Sequence, residues 1–209
     1  MLANSVVVLD FETSGMSPDY GDRAIEIGAV KIVDGIMVDQ FQSLMNPGFR
    51  INSFIQDFTG IDNNMLSAAP GCEEVMAQFQ EFVGDANLVA HNASFDKRFL
   101  DAEFAKIRAS YSGQFACSML LARRIYQEAP NHKLGTLVSY RNIEHDGVFH
   151  RALADAQMTA KLWLAMLEDI GDQYQCWDLP FQFVGKLSKT PKKAVAKLLA
   201  QYQEKANPI

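Results

Sequence analysis

The run Ser5-Val-Val-Val-Leu-Asp-Phe11 constrains this chain more than any other segment. Residues 6–9 are apolar without interruption and mostly β-branched, so a strand built from them is apolar on both faces. Such a strand has to sit inside a sheet covered on both sides. The segment AIEIGAVKIVDG (24–35) alternates and closes in Asp34-Gly35, a hairpin signal ahead of IMVDQFQSLM (36–45). Asn46-Pro47-Gly48 ends that second arm. Three antiparallel strands therefore open the chain. Two short apolar segments follow, NLVAHN (87–92) and QFACSM (114–119), and helical patterns alternate with them. Helices are expected over 72–84, 94–107, 134–142 and 151–171, with a short helix and loop over 52–66 that stops at Gly60. The expectation is an α/β fold in three layers, a mixed five-stranded sheet flanked by helices, spanning residues 1–174. In the remainder, 175–209, QCWDLPFQFVG reads as a strap docking back on the body. Pro191 then opens a basic helix, KKAVAKLLAQYQ, whose Val195, Leu198, Leu199 and Tyr202 form one apolar edge. Both pieces are expected to dock on the same body.

Composition excludes several classes. At 48% hydrophobic and 21% charged residues the chain is neither disordered nor fibrous. No apolar run approaches the ~18 residues of a membrane span. The start, MLANSVVVLD, has no basic segment and meets Asp10 too early for a secretory signal. Cys72, Cys117 and Cys176 are odd in number and match no zinc spacing, so they read as thiols of a reducing, cytoplasmic compartment. Net charge is −6, unevenly spread: six lysines and one glutamate give residues 186–205 a local +5, leaving the rest near −11. An acidic body is a poor match for phosphates unless its acids hold cations.

Asp10 and Glu12 carry the chemistry. Two apart on a strand, they point to one face where the buried strand ends. In α/β sheets that end is where ligands bind. Like charges held there need a proton, a basic partner or a divalent cation. Asp96 opens a helix after a second short strand, where an acid also offsets the positive end of the helix dipole; Asn92 or Ser94 could cap that helix. Asp155 shares a helical stripe with Met158, Leu162 and Met166, so it faces protein rather than water. His150 precedes it by five residues and reaches the site only if Phe149-His150 is still loop. Its imidazole could then take a proton from water. Clustered oxygen donors favour Mg²⁺ or Mn²⁺. Two such ions can hold the attacking and leaving oxygens of a phosphodiester. His132 and His145 lie in polar stretches and read as solvated surface.

VVLDFETSGMSPDYGDRAIEIGAV, LVAHNASFD and HRALADA resemble the three motifs of the DEDDh, or DnaQ-like, exonuclease family: Asp-x-Glu-Thr at 10–13, His-Asn-x-x-Phe-Asp at 91–96, and His-x-Ala-x-x-Asp at 150–155. The resemblance covers about residues 5–170. It implies a ribonuclease-H-like fold and 3′→5′ hydrolysis at single-stranded DNA or RNA ends, releasing nucleoside 5′-monophosphates. By carry-over, Asp10 bridges two Mg²⁺ (or Mn²⁺) ions, and Glu12 and Asp155 complete the nucleophile-side ion. Asp96 supports the other, and His150 is the general base. Phe11, Thr13, Met16, Asn92 and Phe95 line the substrate cleft. Lys97 and Arg151, each beside a motif residue, are candidate phosphate contacts. Ser14 and Met16 depart from the family's frequent Thr and Leu, and Phe58-Thr59-Gly60-Ile61 stands where many members have histidine before the Gly-Ile, which bears on base and sugar preference. DNA is favoured over RNA. An exoribonuclease of the RNase T type is the alternative, and a binding or scaffold module with vestigial activity the more distant one. The C-terminal segment could bind a second copy, a polymerase, or, through Gln175–Phe181, a sliding clamp.

Overall fold

The computed structural model describes residues 1–144, 147 and 150–206. Five strands form one sheet: β1 (Val6–Thr13), β2 (Ala24–Val33), β3 (Ile36–Leu44), β4 (Asn87–Ala90) and β5 (Phe115–Cys117). Their order is β3-β2-β1-β4-β5. β1, β2 and β3 pair antiparallel, whereas β4 lies parallel to β1 and β5 parallel to β4. This is the mixed ribonuclease-H-like sheet the sequence implied, with its most apolar strand at the centre.

Alternation along β1 sorts the two cores. Val7, Leu9 and Phe11 pack with α3 (Cys72–Val83) and α4 (Ser94–Lys106) on one face. Val6 and Val8 pack on the other with α5 (Ser118–Ile125), α6 (Leu134–Tyr140) and α7 (Ala152–Tyr174). Period-two geometry puts Asp10 and Glu12 on the α7 side. A third, small cluster of Ile25, Ile51, Ile61 and Leu66 seats α1 (Ser53–Thr59) and α2 (Asn63–Ala68). That gives two helices where one was expected. The Gly60 stop does occur, with φ 70°.

The strap expectation is corrected. Phe181–Lys189 is a helix, α8, and Pro180 stands at its N-cap, where a missing N–H costs nothing. Phe181, Val184 and Leu187 recur at helical spacing and are buried with Cys176 and Leu179. A single 3-10 turn follows at Lys192–Ala194, then α9 (Val195–Ala206), whose Val195 and Leu199 join the same core. No helix among the described residues is long and apolar enough to cross a membrane.

Candidate active site

Close packing of α7 on the sheet builds the site. Asp10 pairs in register with Gly28 of β2. A Cβ on Gly28 would lie 2.1 Å from the Leu153 nitrogen and 2.2 Å from the Ala152 carbonyl carbon. Only glycine lets the start of α7 approach this closely. Beside it, Glu26 is wholly buried and accepts four hydrogen bonds. Arg151 forks onto it (Nε to Oε2 3.1 Å, Nη2 to Oε1 2.8 Å), the Ala152 N–H reaches Oε2 at 3.1 Å, and the Gln42 amide reaches Oε1 at 2.9 Å. This clamp pins the N-terminus of α7 over β1 and β2. Asp155, one turn in, is thereby aimed at Asp10 and Glu12. Its stripe is as expected: Asp155, Met158, Leu162 and Met166 are all buried.

The five motif residues line one cleft of about 500 Å³, together with Phe11, Thr13, Met16, Asn92 and Phe95. Ligand atoms of Glu12, His150 and Asp155 all fall within 4.8 Å of one another. Asp96 approaches from the opposite face of the sheet. Its Oδ1 accepts the Phe11 N–H at 3.2 Å, across 85 residues of sequence. So Asp96 grips the central strand, and its role is not exhausted by the helix dipole. No side chain caps α4; Asn92, at φ 63°, offers its carbonyl to the Phe95 N–H. The pairing of β1 with β2 shifts register between Glu12 and Thr13, where the cleft begins.

No lysine or arginine pairs with Asp10, Glu12, Asp96 or Asp155 among the described residues. Their titration follows. Burial first, then the charges of Asp96, Asp155 and Glu12, hold Asp10 well above the usual carboxylate range. Burial and then Asp155 push Glu12 up to about 8. Burial raises Asp96 to about 7 against the opposing Phe11 hydrogen bond. Burial also raises Asp155, opposed by the His150 N–H that reaches its Oδ2 at 2.9 Å. An all-carboxylate set that is crowded, buried and short of cations suits a hard divalent ion better than zinc.

His150 is exposed at the mouth with φ 62°, outside α7. Phe149 and His145 lie outside the described residues. The His150 ring rests against Phe58, centroids 4.2 Å apart, and Phe58 in turn stacks on Phe54 at 6.1 Å. Both phenylalanines are at least half exposed, and both line the cleft. Phe54 was not singled out from sequence; its signal was an apolar residue on the open side of a short helix, four before Phe58. Met16 stands at the opposite lip, 74% exposed.

Both candidate phosphate contacts hold carboxylates of their own. Arg151 is committed to Glu26, and Lys97 pairs with Asp101 at 2.5 Å. His132 corrects its expectation: it is half-buried, its Nε2 meets the Tyr126 carbonyl, and its own carbonyl meets Nε2 of His91. His91 also meets Ser118 Oγ at 2.9 Å, and burial lowers its pKa to about 4. It is a neutral strut behind the cleft.

Comparisons with known proteins agree with this geometry. The family model described as Exonuclease matches residues 7–163. The chain is 41% identical over 171 residues to a DNA polymerase III of PolC type from Caldanaerobacter subterraneus subsp. tengcongensis, covering 81% of this chain but only 12% of that protein. Exonuclease X, solved in complex with 5′-overhanging duplex DNA, superposes with a TM-score of 0.64 at 24% identity, covering 93% of this chain and 99% of the other. The nuclease domain of 3′hExo, solved bound to rAMP as a DEDDh family member, gives a TM-score of 0.68 at 19% identity over 79% of this chain and 92% of the other. These two solved structures share its fold, and the chain belongs to the exonuclease family.

Proposed function

We propose that this chain is a divalent-metal-dependent 3′→5′ exonuclease that removes nucleoside 5′-monophosphates from single-stranded ends, with DNA preferred. One observation carries the reading: four acids from β1, α4 and α7 meet in a single cleft with no ion-pair partner among the described residues. The donor set fits Mg²⁺ or Mn²⁺, which Asp10, Glu12, Asp96 and Asp155 would hold. When bound, such ions supply charge neutralisation and a more acidic attacking water.

The chain's own residues do the rest. The Phe11–Thr13 backbone and the Asn92 and Phe95 side chains hold the terminal nucleotide. Met16 and the Phe54–Phe58 pair flank the entrance as apolar faces on which bases can stack. His150, held by its N–H to Asp155 and its ring contact with Phe58, takes the proton of the attacking water on a ring nitrogen. The preference for DNA is supported by the name of the PolC-type relatives. Proofreading beside a polymerase, in the cytoplasm, is the setting this favours.

The test is a 3′-labelled single strand, as matched DNA and RNA, incubated with Mg²⁺ or with EDTA. Labelled mononucleotide should appear first, only with Mg²⁺, and faster from DNA. Asp155→Ala should abolish release. His150→Ala should lower it by about 10²- to 10⁴-fold. Internal fragments appearing first, or a wild-type rate for Asp155→Ala, would overturn the assignment. Faster release from RNA would replace DNA by the exoribonuclease alternative.

A further inference from the structure

A second groove lies on the far side of the first turn of α4. Phe95 and Asp96 line the catalytic cleft, whereas Ser94 and Lys97, on the same turn, line this groove. Its opposite wall is α8, with Gly185, Lys186 and Lys189 facing in, and its volume is about 530 Å³. It is lined by three lysines and no acid, in a chain of net charge −6. Lys186 and Lys189 are exposed and make no ion pair among the described residues. The two adjoin, with Asn92 and Phe95 lining the cleft and Ala93 and Ser94 lining the groove, so a strand that leaves the cleft over the first turn of α4 enters a lysine-lined channel.

We propose that the α4–α8 groove binds the sugar–phosphate backbone of the substrate strand upstream of its 3′ end, with Lys186 and Lys189 as phosphate contacts. This rests on the exonuclease reading above. The argument is charge complementarity. The catalytic acids repel an incoming polyanion, so an acidic protein needs a cationic stretch elsewhere to retain the strand between cleavages. α8 lies beyond residues 7–163, the span of the family model. Geometry sets the length needed. A helix with side chains is about 10 Å across, roughly three nucleotides at ~3.4 Å each. With its terminal nucleotide in the cleft, a trinucleotide is too short to cross α4, whereas a longer strand reaches the groove.

The experiment compares KM for oligothymidylate of three and of twelve nucleotides with the full chain and Mg²⁺. The wild type should favour the dodecamer by about tenfold, with a steep salt dependence. In Lys186→Gln/Lys189→Gln that advantage should collapse, and the slope of log KM against log salt should drop by roughly 1.4, about 0.7 per lost phosphate contact. Gly185→Glu puts an acid on the groove floor, where a Cβ meets nothing within 4 Å. It improves helix propensity, so it should fold, and it should lose the advantage as well. Lys192→Gln/Lys193→Gln makes the same charge change outside the groove and should keep it. Equal loss in that control, or a dodecamer advantage that survives in the first two variants, overturns the groove. So does a wild type indifferent to length. A wild type that releases nothing from either strand instead strikes the exonuclease reading.

Discussion

Two glutamates face each other across β1 and β2, Glu12 opposite Glu26, and their electrical surroundings are opposite too. Glu26 is wholly buried and its two oxygens take four donors. Glu12 is nearly as buried, is pushed up to about 8, and makes no ion pair among the described residues. Helix α4 repeats the contrast. Glu103 and Asp96 are equally buried, but Glu103 holds Arg23 and Lys106, while among the described residues Asp96 is met by backbone N–H groups. A buried acid is tolerable when paired, so Glu26 and Glu103 are frame. The unpaired acids cost stability in the bare protein, and such a cost is expected where a ligand will offset it. Charge satisfaction, rather than burial or residue type, separates site from scaffold here.

The largest effect should come from removing one unpaired acid. Asp10→Asn should bring nucleotide release down to background while raising the melting temperature of the metal-free protein, because it removes like-charge repulsion. Assays of release with Mg²⁺ and thermal melts in EDTA read the two effects separately. A variant that loses both activity and stability would place Asp10 in the frame with Glu26.

The paired side should respond with the opposite sign. Arg151→Ala leaves Glu26 charged and wholly buried, and should cost about 3–5 kcal/mol by denaturant unfolding. Its KM for long strands should move less than in the α8 lysine variants, since the guanidinium is occupied by Glu26 rather than by phosphate. A stable Arg151→Ala protein with weakened strand binding would restore the phosphate role expected from sequence.

A smaller change tests the joint between the two regions. Gly28→Ala puts a methyl into the α7 backbone, and overpacking of this kind costs about 1–3 kcal/mol. The start of α7 should lift, carrying Asp155 away from Glu12. Release should fall by more than the stability loss explains, and extra Mg²⁺ should recover part of it. Unchanged kinetics would mean that Asp155 is positioned independently of Gly28.

Much of this was legible in the chain. The both-face apolarity of residues 6–9 placed β1 in the middle of the sheet. Two-residue spacing put Asp10 and Glu12 together, and the Met158–Leu162–Met166 stripe turned Asp155 inward. What sequence reasoning missed depends on long-range partners. Glu26 looked like one polar position in an alternating strand, and only the fold brings Arg151 to it from 125 residues away. Gly28 gives no local signal, because its reason is a helix backbone that local pattern does not encode. Helix α8 is different: the Phe181, Val184 and Leu187 period is present in the sequence, and the strap reading leaves it unused.

The smallest expected effect is a pH dependence confined to the metal-free protein. Glu12 and Asp96, raised by burial to about 8 and about 7, bind protons more tightly folded than unfolded. Their contribution to stability is therefore full below the ordinary carboxylate range of ~4 and is lost as pH climbs through 7 to 8. In EDTA the melting temperature should decline across that window. Mg²⁺ should flatten the decline, because a bound cation replaces the proton as the group's partner. Asp155→Asn should flatten it partly without metal, by removing the neighbouring charge that does most to raise Glu12. If instead the decline persists in saturating Mg²⁺, the cations are not reaching these acids, and the division into paired frame and unpaired site loses its basis.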